Sequence, residues 1–268
     1  MIPAAFQYSK AGSVKEAVAQ LREAGPEAKV IAGGQSLIPL LRLRLSQPSH
    51  LVDVNGVREL DYVHPEGDLL RVGAMTRHST IARSQLVQRH LPLLAEMAVQ
   101  VGDPQIRARG TLGGVIAHAD AAGDYPTLAV MLDATIVTDR RRVAARDFFQ
   151  HLFTTVLAED ELVCEVVFPM APGPHRYLKF RRRLYDWAIV GAAVQKLDSG
   201  WRVGLTHVGP SAVRAAAVEA RLQAGATFQE AAAAAADGLE PPSDVRASAD
   251  YRRHLARVLT RRALEQAA

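Results

Sequence analysis

Hydrophobic positions in this chain alternate between helical spacing and the short apolar runs of strands. Ser13-Val14-Lys15-Glu16 has the form of a capping box, and Val14, Ala17, Val18 and Leu21 then recur on one helical face until Gly25-Pro26. Lys29-Val30-Ile31-Ala32 predicts a strand, and Leu51-Val52-Asp53-Val54 predicts a second. Between them Ser36 is the expected cap of a helix whose buried side carries Leu37, Leu40, Leu41 and Leu45, with Pro39 tolerated in the first turn. The opening is therefore βαβ-like.

From about residue 58 the texture changes. Strands are expected at 69–74, 134–138 and 163–168. Helices are expected from Thr76 to Ile81, over 93–101 and over 125–132, while Phe148 and Phe149 look like core plugs. Pro172-Gly173-Pro174 reads as a linker. Beyond it, 188–197 and 201–208 form a hairpin pattern around Asp198-Ser199-Gly200. Thr227-Phe228-Gln229-Glu230 is another capping box, opening an alanine-rich helix that runs to Gly238. Tyr251, Leu255, Val258 and Leu259 stripe a last helix. The expected division is 1–57, 58–172 and 173–268, an α+β chain whose last part is an antiparallel sheet with helices.

Composition narrows the function. At 268 residues and 49% hydrophobic, the chain can bury a sizeable core. No apolar run approaches the roughly 18 residues of a membrane span, and the first residues lack a basic-then-apolar leader, so the expectation is a soluble cytoplasmic protein. A formal charge of +4 is mild, and the arginine clusters at 140–142, 181–183 and 261–262 are scattered without interleaved aromatics. That disfavours nucleic acid. The single cysteine, Cys164, cannot form an internal disulfide or hold a multi-cysteine cluster, and its apolar surroundings mark it as a strand residue. The histidines show no metal-binding spacing, and no nucleophile–base set can be built, so neither a metal site nor a catalytic residue is assigned.

The chemistry lies in two glycine-rich segments, Ala32-Gly33-Gly34-Gln35-Ser36 and Thr111-Leu112-Gly113-Gly114, each beside an apolar run. Glycine lets backbone N–H groups approach a phosphate closely. Two such segments can grip a dinucleotide's two phosphates, with amides near Gly33, Gly34, Gln35 and Ser36 on one and those near Gly113 and Gly114 on the other. The helix start after Ser36 adds favourable dipole. Neither segment has the one-turn G-x-G-x-x-G of a Rossmann fold, and there is no P-loop lysine motif. FAD is the natural dinucleotide.

These residues resemble the FAD-binding medium subunit of the molybdenum hydroxylases, the group that includes aerobic carbon monoxide dehydrogenase and xanthine dehydrogenase. Ile31 to Leu37 is similar to that family's first FAD loop, and Arg109 to Gly114 to its second. Ala117 to Asp124 is similar to the segment that follows, and Lys179 to Arg183 with Tyr185 to Ala188 to the approach to its C-terminal domain. The resemblance implies a two-subdomain FAD-binding fold of the vanillyl-alcohol oxidase class, plus a C-terminal α+β domain. It implies that Ala32, Gly33, Gly34, Gln35, Ser36, Leu37, Thr111, Leu112, Gly113 and Gly114 bind the FAD phosphates and ribose. It further implies that Ala117 belongs to the site, that Asp124 accepts from a ribityl or ribose hydroxyl, that Lys29, Leu162 and Lys179 make contacts, and that Tyr185 neighbours the flavin ring. Val115 stands where many relatives place Asn or Ser, and Gln35 where His or Thr is frequent.

The implied role is electron transfer within a heterotrimer. A small subunit with two [2Fe–2S] clusters drains a molybdopterin centre in a large subunit and passes electrons to the flavin, which hands them to an external acceptor. A dimer of such heterotrimers is the expected assembly. The rival is a self-sufficient FAD-dependent oxidase of related fold. A second rival is a scaffold that has lost its flavin. Several residues keep a plain reading beside the cofactor one: Asp124 as a helix cap, Tyr185 and Trp187 as core aromatics, Lys179 as a solvated charge and His118 as a loop histidine.

Overall fold

The computed structural model describes residues 2–268 and builds them on three main sheets, each with its own apolar core. The first body runs β1 (Gln7–Lys10), α1 (Val14–Ala24), β2 (Ala28–Ile31), α2 (Leu37–Arg42) and β3 (His50–Asp53). Its strands are parallel in the order β1-β3-β2. Ser13 Oγ accepts the Glu16 N–H at 3.2 Å, and Gly25 at φ 75° closes α1 on the Leu21 carbonyl. Strand β1 escaped the apolar pattern because Gln7-Tyr8-Ser9-Lys10 is a polar edge strand held by backbone pairing.

Helix α2 departs from expectation. Ser36 already has helical angles and its hydroxyl caps nothing. The helix ends at Arg42, Arg44 turns the chain at φ 57°, and Leu45 lies past the end, 73% exposed. Of the expected stripe only Leu41 is buried.

The second body opens with β4 (Val63–Glu66) and β5 (Leu69–Gly73). A run of helices follows: α3 (His78–Arg83), α4 (Gln85–His90), α5 (Pro92–Val99), α6 (Pro104–Arg109), α7 (Leu112–His118) and α8 (Asp124–Met131). Then come β6 (Thr135–Thr138), β7 (Arg142–Ala144), α9 (Ala145–Phe148), a small hairpin of β8 (Phe149–His151) and β9 (Thr154–Thr155), and β10 (Val163–Pro169). The sheet is antiparallel, ordered β4-β5-β10-β6-β7. Thr76 is not the cap of α3. Its hydroxyl donates to the Tyr62 carbonyl at 2.9 Å, and Arg77 takes the cap position. Cys164 sits half-buried on β10, where burial and the nearby Asp139 and Glu165 push its thiol up to about 12, as befits an inert strand cysteine.

The third body is the antiparallel sheet β11 (His175–Phe180), β12 (Val190–Leu197), β13 (Gly200–Thr206) and β14 (Val213–Arg214), packed by α10 (Ala216–Gln223), α11 (Phe228–Ala232) and α12 (Ala249–Ala267). The hairpin turn falls where expected, with Gly200 at φ 121°. The alanine-rich helix is shorter than expected. Its capping box forms, but after Ala232 the N–H groups of Ala234, Ala235 and Asp237 reach back only three residues, so α-helix gives way to tighter turns. Those alanines are buried, so packing overrides propensity there. The bodies interlock: Met75 and Leu162 close the first core, while Tyr177 and Ala193 complete the second.

Candidate functional site

A cleft of about 530 Å³ lies where the three bodies meet, within the size range of small-molecule and cofactor sites. One wall is the segment between β2 and α2. Gly33 lies against the backbone of Arg109 and Gly110, where an added Cβ would stand 2.4 Å from the Arg109 carbonyl oxygen and 2.7 Å from Gly110 Cα. The two glycine segments, remote in sequence, are thus in contact. Gly34 takes φ 75°, the left-handed region that a side chain disfavours. Among the described residues no hydrogen bond engages the N–H of Gly33, Gly34, Gln35, Ser36 or Leu37. Five successive donors are left for something else, whereas folded backbones normally pair such groups. Gln35 turns back, its Nε2 donating to the Gly33 carbonyl at 3.0 Å.

The second segment is not a loop. Thr111 is the cap of α7, its Oγ1 accepting the Gly114 N–H at 3.2 Å, so Gly113 and Gly114 lie in the first helical turn. The Gly113 N–H is spent on the Ala74 carbonyl at 2.8 Å and that of Leu112 on the Thr76 carbonyl at 3.1 Å. The donors expected at Gly113 and Gly114 therefore already have partners. Gly113 is small for another reason, because a Cβ there would stand 2.5 Å from that of Ala74. Leu112 is fully buried in the second core and does not reach the cleft.

The remaining predicted residues converge. Ala32, Thr111 and Ala117 line the cleft, as do Lys29 and Leu162. From the third body come Lys179 and Tyr185. Asp124, the first residue of α8, is 4% exposed and makes no cap. Its Oδ2 accepts from Lys179 Nζ at 2.8 Å and its Oδ1 from the Tyr177 hydroxyl. The Lys179 side chain is itself 2% exposed, which overturns the reading of a solvated charge. Tyr185 and Trp187 are not core aromatics either. They are 47% and 43% exposed beside the cleft, on a strap where Tyr185 holds φ 74°.

Sequence reasoning missed several lining residues, among them His78, Phe153 and Glu161. Phe153 packs against the ring of His118, centroids 4.9 Å apart. Burial opposes ionisation of Glu161, yet Arg141, the Ala158 N–H and Thr138 outweigh it and hold the carboxyl near about 2. His78 is the least expected. It is 2% exposed, its Nδ1 has no partner, and its ring meets Tyr125 edge-on at 5.2 Å. Burial first, then the charges of Arg77 and Arg107, lower its pKa from 6.5 to about 3.

That shift has a definite sign. Between pH 6.5 and about 3 the unfolded chain holds a proton that folded His78 refuses, so stability falls as pH falls through this window. The slope from this one group reaches about 1.4 kcal/mol per pH unit. In His78→Leu, urea unfolding between about pH 6 and 4 is expected to lose close to one proton's worth of that dependence. Parallel pH profiles for the two proteins would refute the assignment.

A family model described as the FAD binding domain in molybdopterin dehydrogenase matches residues 4–171, and one described as the CO dehydrogenase flavoprotein C-terminal domain matches residues 175–267. The carbon monoxide dehydrogenase medium chain of Hydrogenophaga pseudoflava is 42% identical over 100% of this chain and 98% of its own length. The 6-hydroxypseudooxynicotine dehydrogenase complex subunit alpha of Paenarthrobacter nicotinovorans is 37% identical over 100% and 96%. Among solved structures, a carbon monoxide dehydrogenase from Hydrogenophaga pseudoflava superposes with a TM-score of 0.95 at 42% identity, covering 100% of this chain and 98% of that one. Quinoline 2-oxidoreductase from Pseudomonas putida 86 gives 0.94 at 34% identity, covering 100% and 98%. No helix among the described residues is long and apolar enough to cross a membrane. With a cleft built on unpaired backbone donors and both halves of the fold matched end to end, the chain belongs to the FAD-binding medium subunits of the carbon monoxide dehydrogenase and xanthine dehydrogenase family.

Proposed function

We propose that this chain is the flavoprotein stage of a cytoplasmic, heterotrimeric molybdenum hydroxylase, assembled as a dimer of heterotrimers. Bound FAD would supply the redox chemistry, accepting electrons from [2Fe–2S] clusters of a small subunit that serves a molybdopterin-bearing large subunit, and yielding them to an external acceptor. The observation that carries this reading is the run of five unpartnered amides from Gly33 to Leu37, facing a cleft shared by three bodies. An FAD phosphate satisfies such donors with charge-assisted bonds, each contributing about 1.5–3 kcal/mol.

The chain's own residues then have distinct work. Gly33 and Gly34 keep the amide run open, and Gln35 stabilises it by holding the Gly33 carbonyl. Ala32, Ser36 and Leu37 complete that wall, while Thr111, Gly113, Gly114 and Ala117 form the opposite one through shape more than through donors. Asp124 has its first two hydrogen bonds inside the protein, so any sugar hydroxyl meets a carboxylate already fixed by Lys179 and Tyr177. Lys29 and Leu162 bound the cleft from the first and second bodies. Exposed Tyr185 and Trp187 offer flat faces to a flavin ring. No proton donor or acceptor need reside here.

Co-expression with the neighbouring reading frames is the test. The expected result is a yellow protein that co-elutes with iron–sulfur and molybdenum-bearing chains, and that releases its flavin to the supernatant on acid precipitation. Flavin retained in the pellet would instead favour the self-sufficient oxidase. A chain that never co-elutes with such partners defeats the proposal.

A further inference from the structure

Arg77 makes contacts that neither its sequence position nor the cleft lining announces. It occupies the cap position of α3 and bridges Thr111 through the backbone. Its Nη1 donates to the Arg109 carbonyl, and its Nη2 donates to Asn55 Oδ1 at 2.6 Å. Asn55 Nδ2 in turn donates to the Ala32 carbonyl at 2.9 Å and to Asp53 Oδ1 at 2.6 Å. Ala32 and Arg109 immediately precede Gly33 and Gly110, the residues through which the two glycine segments touch. One guanidinium and one amide thus tie both edges of the contact.

Arg77 has no direct ion-pair partner, and only the more distant fields of Asp61 and Asp53 favour its charge. Among the described residues no carboxylate lies within 4.0 Å of its guanidinium, and Asp53, the acid behind Asn55, already accepts from Tyr8 and from Asn55 itself. Burial first, then the charge of Arg109, outweigh those two acids and disfavour the charged form of the guanidinium. A partly desolvated, unpaired cation is costly unless an anion completes it. The unpaired amides of Gly33 to Leu37 begin one carbonyl away.

We propose that Arg77, locked by Asn55, is a positioning residue that presets the Ala32–Leu37 amide run and supplies the positive field for the diphosphate of FAD. It acts through the Arg109 and Ala32 carbonyls and not by touching the ligand, since it does not line the cleft. The inference rests on the FAD reading above, and adds to it a charge from outside both glycine segments.

Flavin-free full-length chain titrated with FAD and with riboflavin, which lacks the diphosphate, tests it. In Arg77→Gln, FAD affinity is expected to fall about ten- to a hundredfold while riboflavin affinity holds within about twofold. The decline of FAD affinity with added salt should also become shallower. Arg77→Lys keeps the charge and is expected to recover part of the loss. An Arg77→Gln chain that binds FAD as the wild type does, or loses both flavins equally, overturns the proposal. Should Arg77→Gln fail to fold, Asn55→Ala decides, with weakened FAD and unchanged riboflavin binding expected, and unchanged FAD binding overturning it. A wild-type chain that takes neither flavin sinks the underlying FAD reading, and this inference with it.

Discussion

Gly33→Ala is expected to lower FAD affinity by at least about a hundredfold, roughly 2.8 kcal/mol, the larger of the binding effects anticipated for a single methyl group. The new Cβ would stand 2.4 Å from the Arg109 carbonyl oxygen, 2.7 Å from Gly110 Cα and 2.9 Å from the Arg109 carbonyl carbon. All three are backbone atoms, so no side chain can swing aside. Relief requires the first body to back away from the second, which opens the cleft at the point where the amide run begins. The cost therefore falls on binding more than on folding, since Gly33 belongs to neither adjacent element. Gly12→Ala is the control, because a Cβ there meets only the tip of Glu16 at 3.4 Å. Calorimetric FAD titration of both variants, beside their melting temperatures, gives the comparison. Wild-type affinity in Gly33→Ala would remove the close approach of the two segments from any account of binding.

The asymmetry of the cleft explains which parts of it were legible. A short apolar run followed by Gly-Gly before a helical pattern means unpaired amides whenever the helix begins late, and here α2 begins at Leu37. At Thr111 the same glycine pair means something else, because a threonine three residues ahead of Gly114 is a cap signal. Asp103-Pro104 and Ser84 likewise announce α6 and α4 through cap chemistry, although their short apolar patterns do not. Edge strands were the other loss: β1 is polar and β4 carries Pro65, so neither has the alternation that betrays a half-buried strand. His78, Arg77 and Asn55 were invisible for a plainer reason. Their roles depend on groups brought in from three separate turns, and nothing local in the sequence marks them.

Lys179→Met is expected to destabilise the folded chain by about 3–5 kcal/mol, the usual cost of leaving one member of a buried ion pair alone. Lys179 Nζ lies 2.8 Å from Asp124 Oδ2 and 3.2 Å from the Gln100 carbonyl, with both charged side chains almost wholly withdrawn from water. Methionine fills a similar volume but strands the Asp124 carboxylate, whose one remaining side-chain donor is the Tyr177 hydroxyl. At about 2–4 °C per kcal/mol for a chain of this size, the melting temperature should drop on the order of 10 °C. The pair also joins β11 of the third body to α8 of the second, so its loss loosens the seam that forms one side of the cleft. Asp124→Asn in the same chain provides the diagnostic. With no charge left buried, and an amide oxygen still able to accept from Tyr177, the double variant should regain most of the lost stability. Recovery of that kind separates a stranded charge from mere loss of packing, which a second substitution at Asp124 would only deepen. If Lys179→Met melted with the wild type, the pair would contribute nothing to the fold, and its place in the cleft would have to be sought in binding alone.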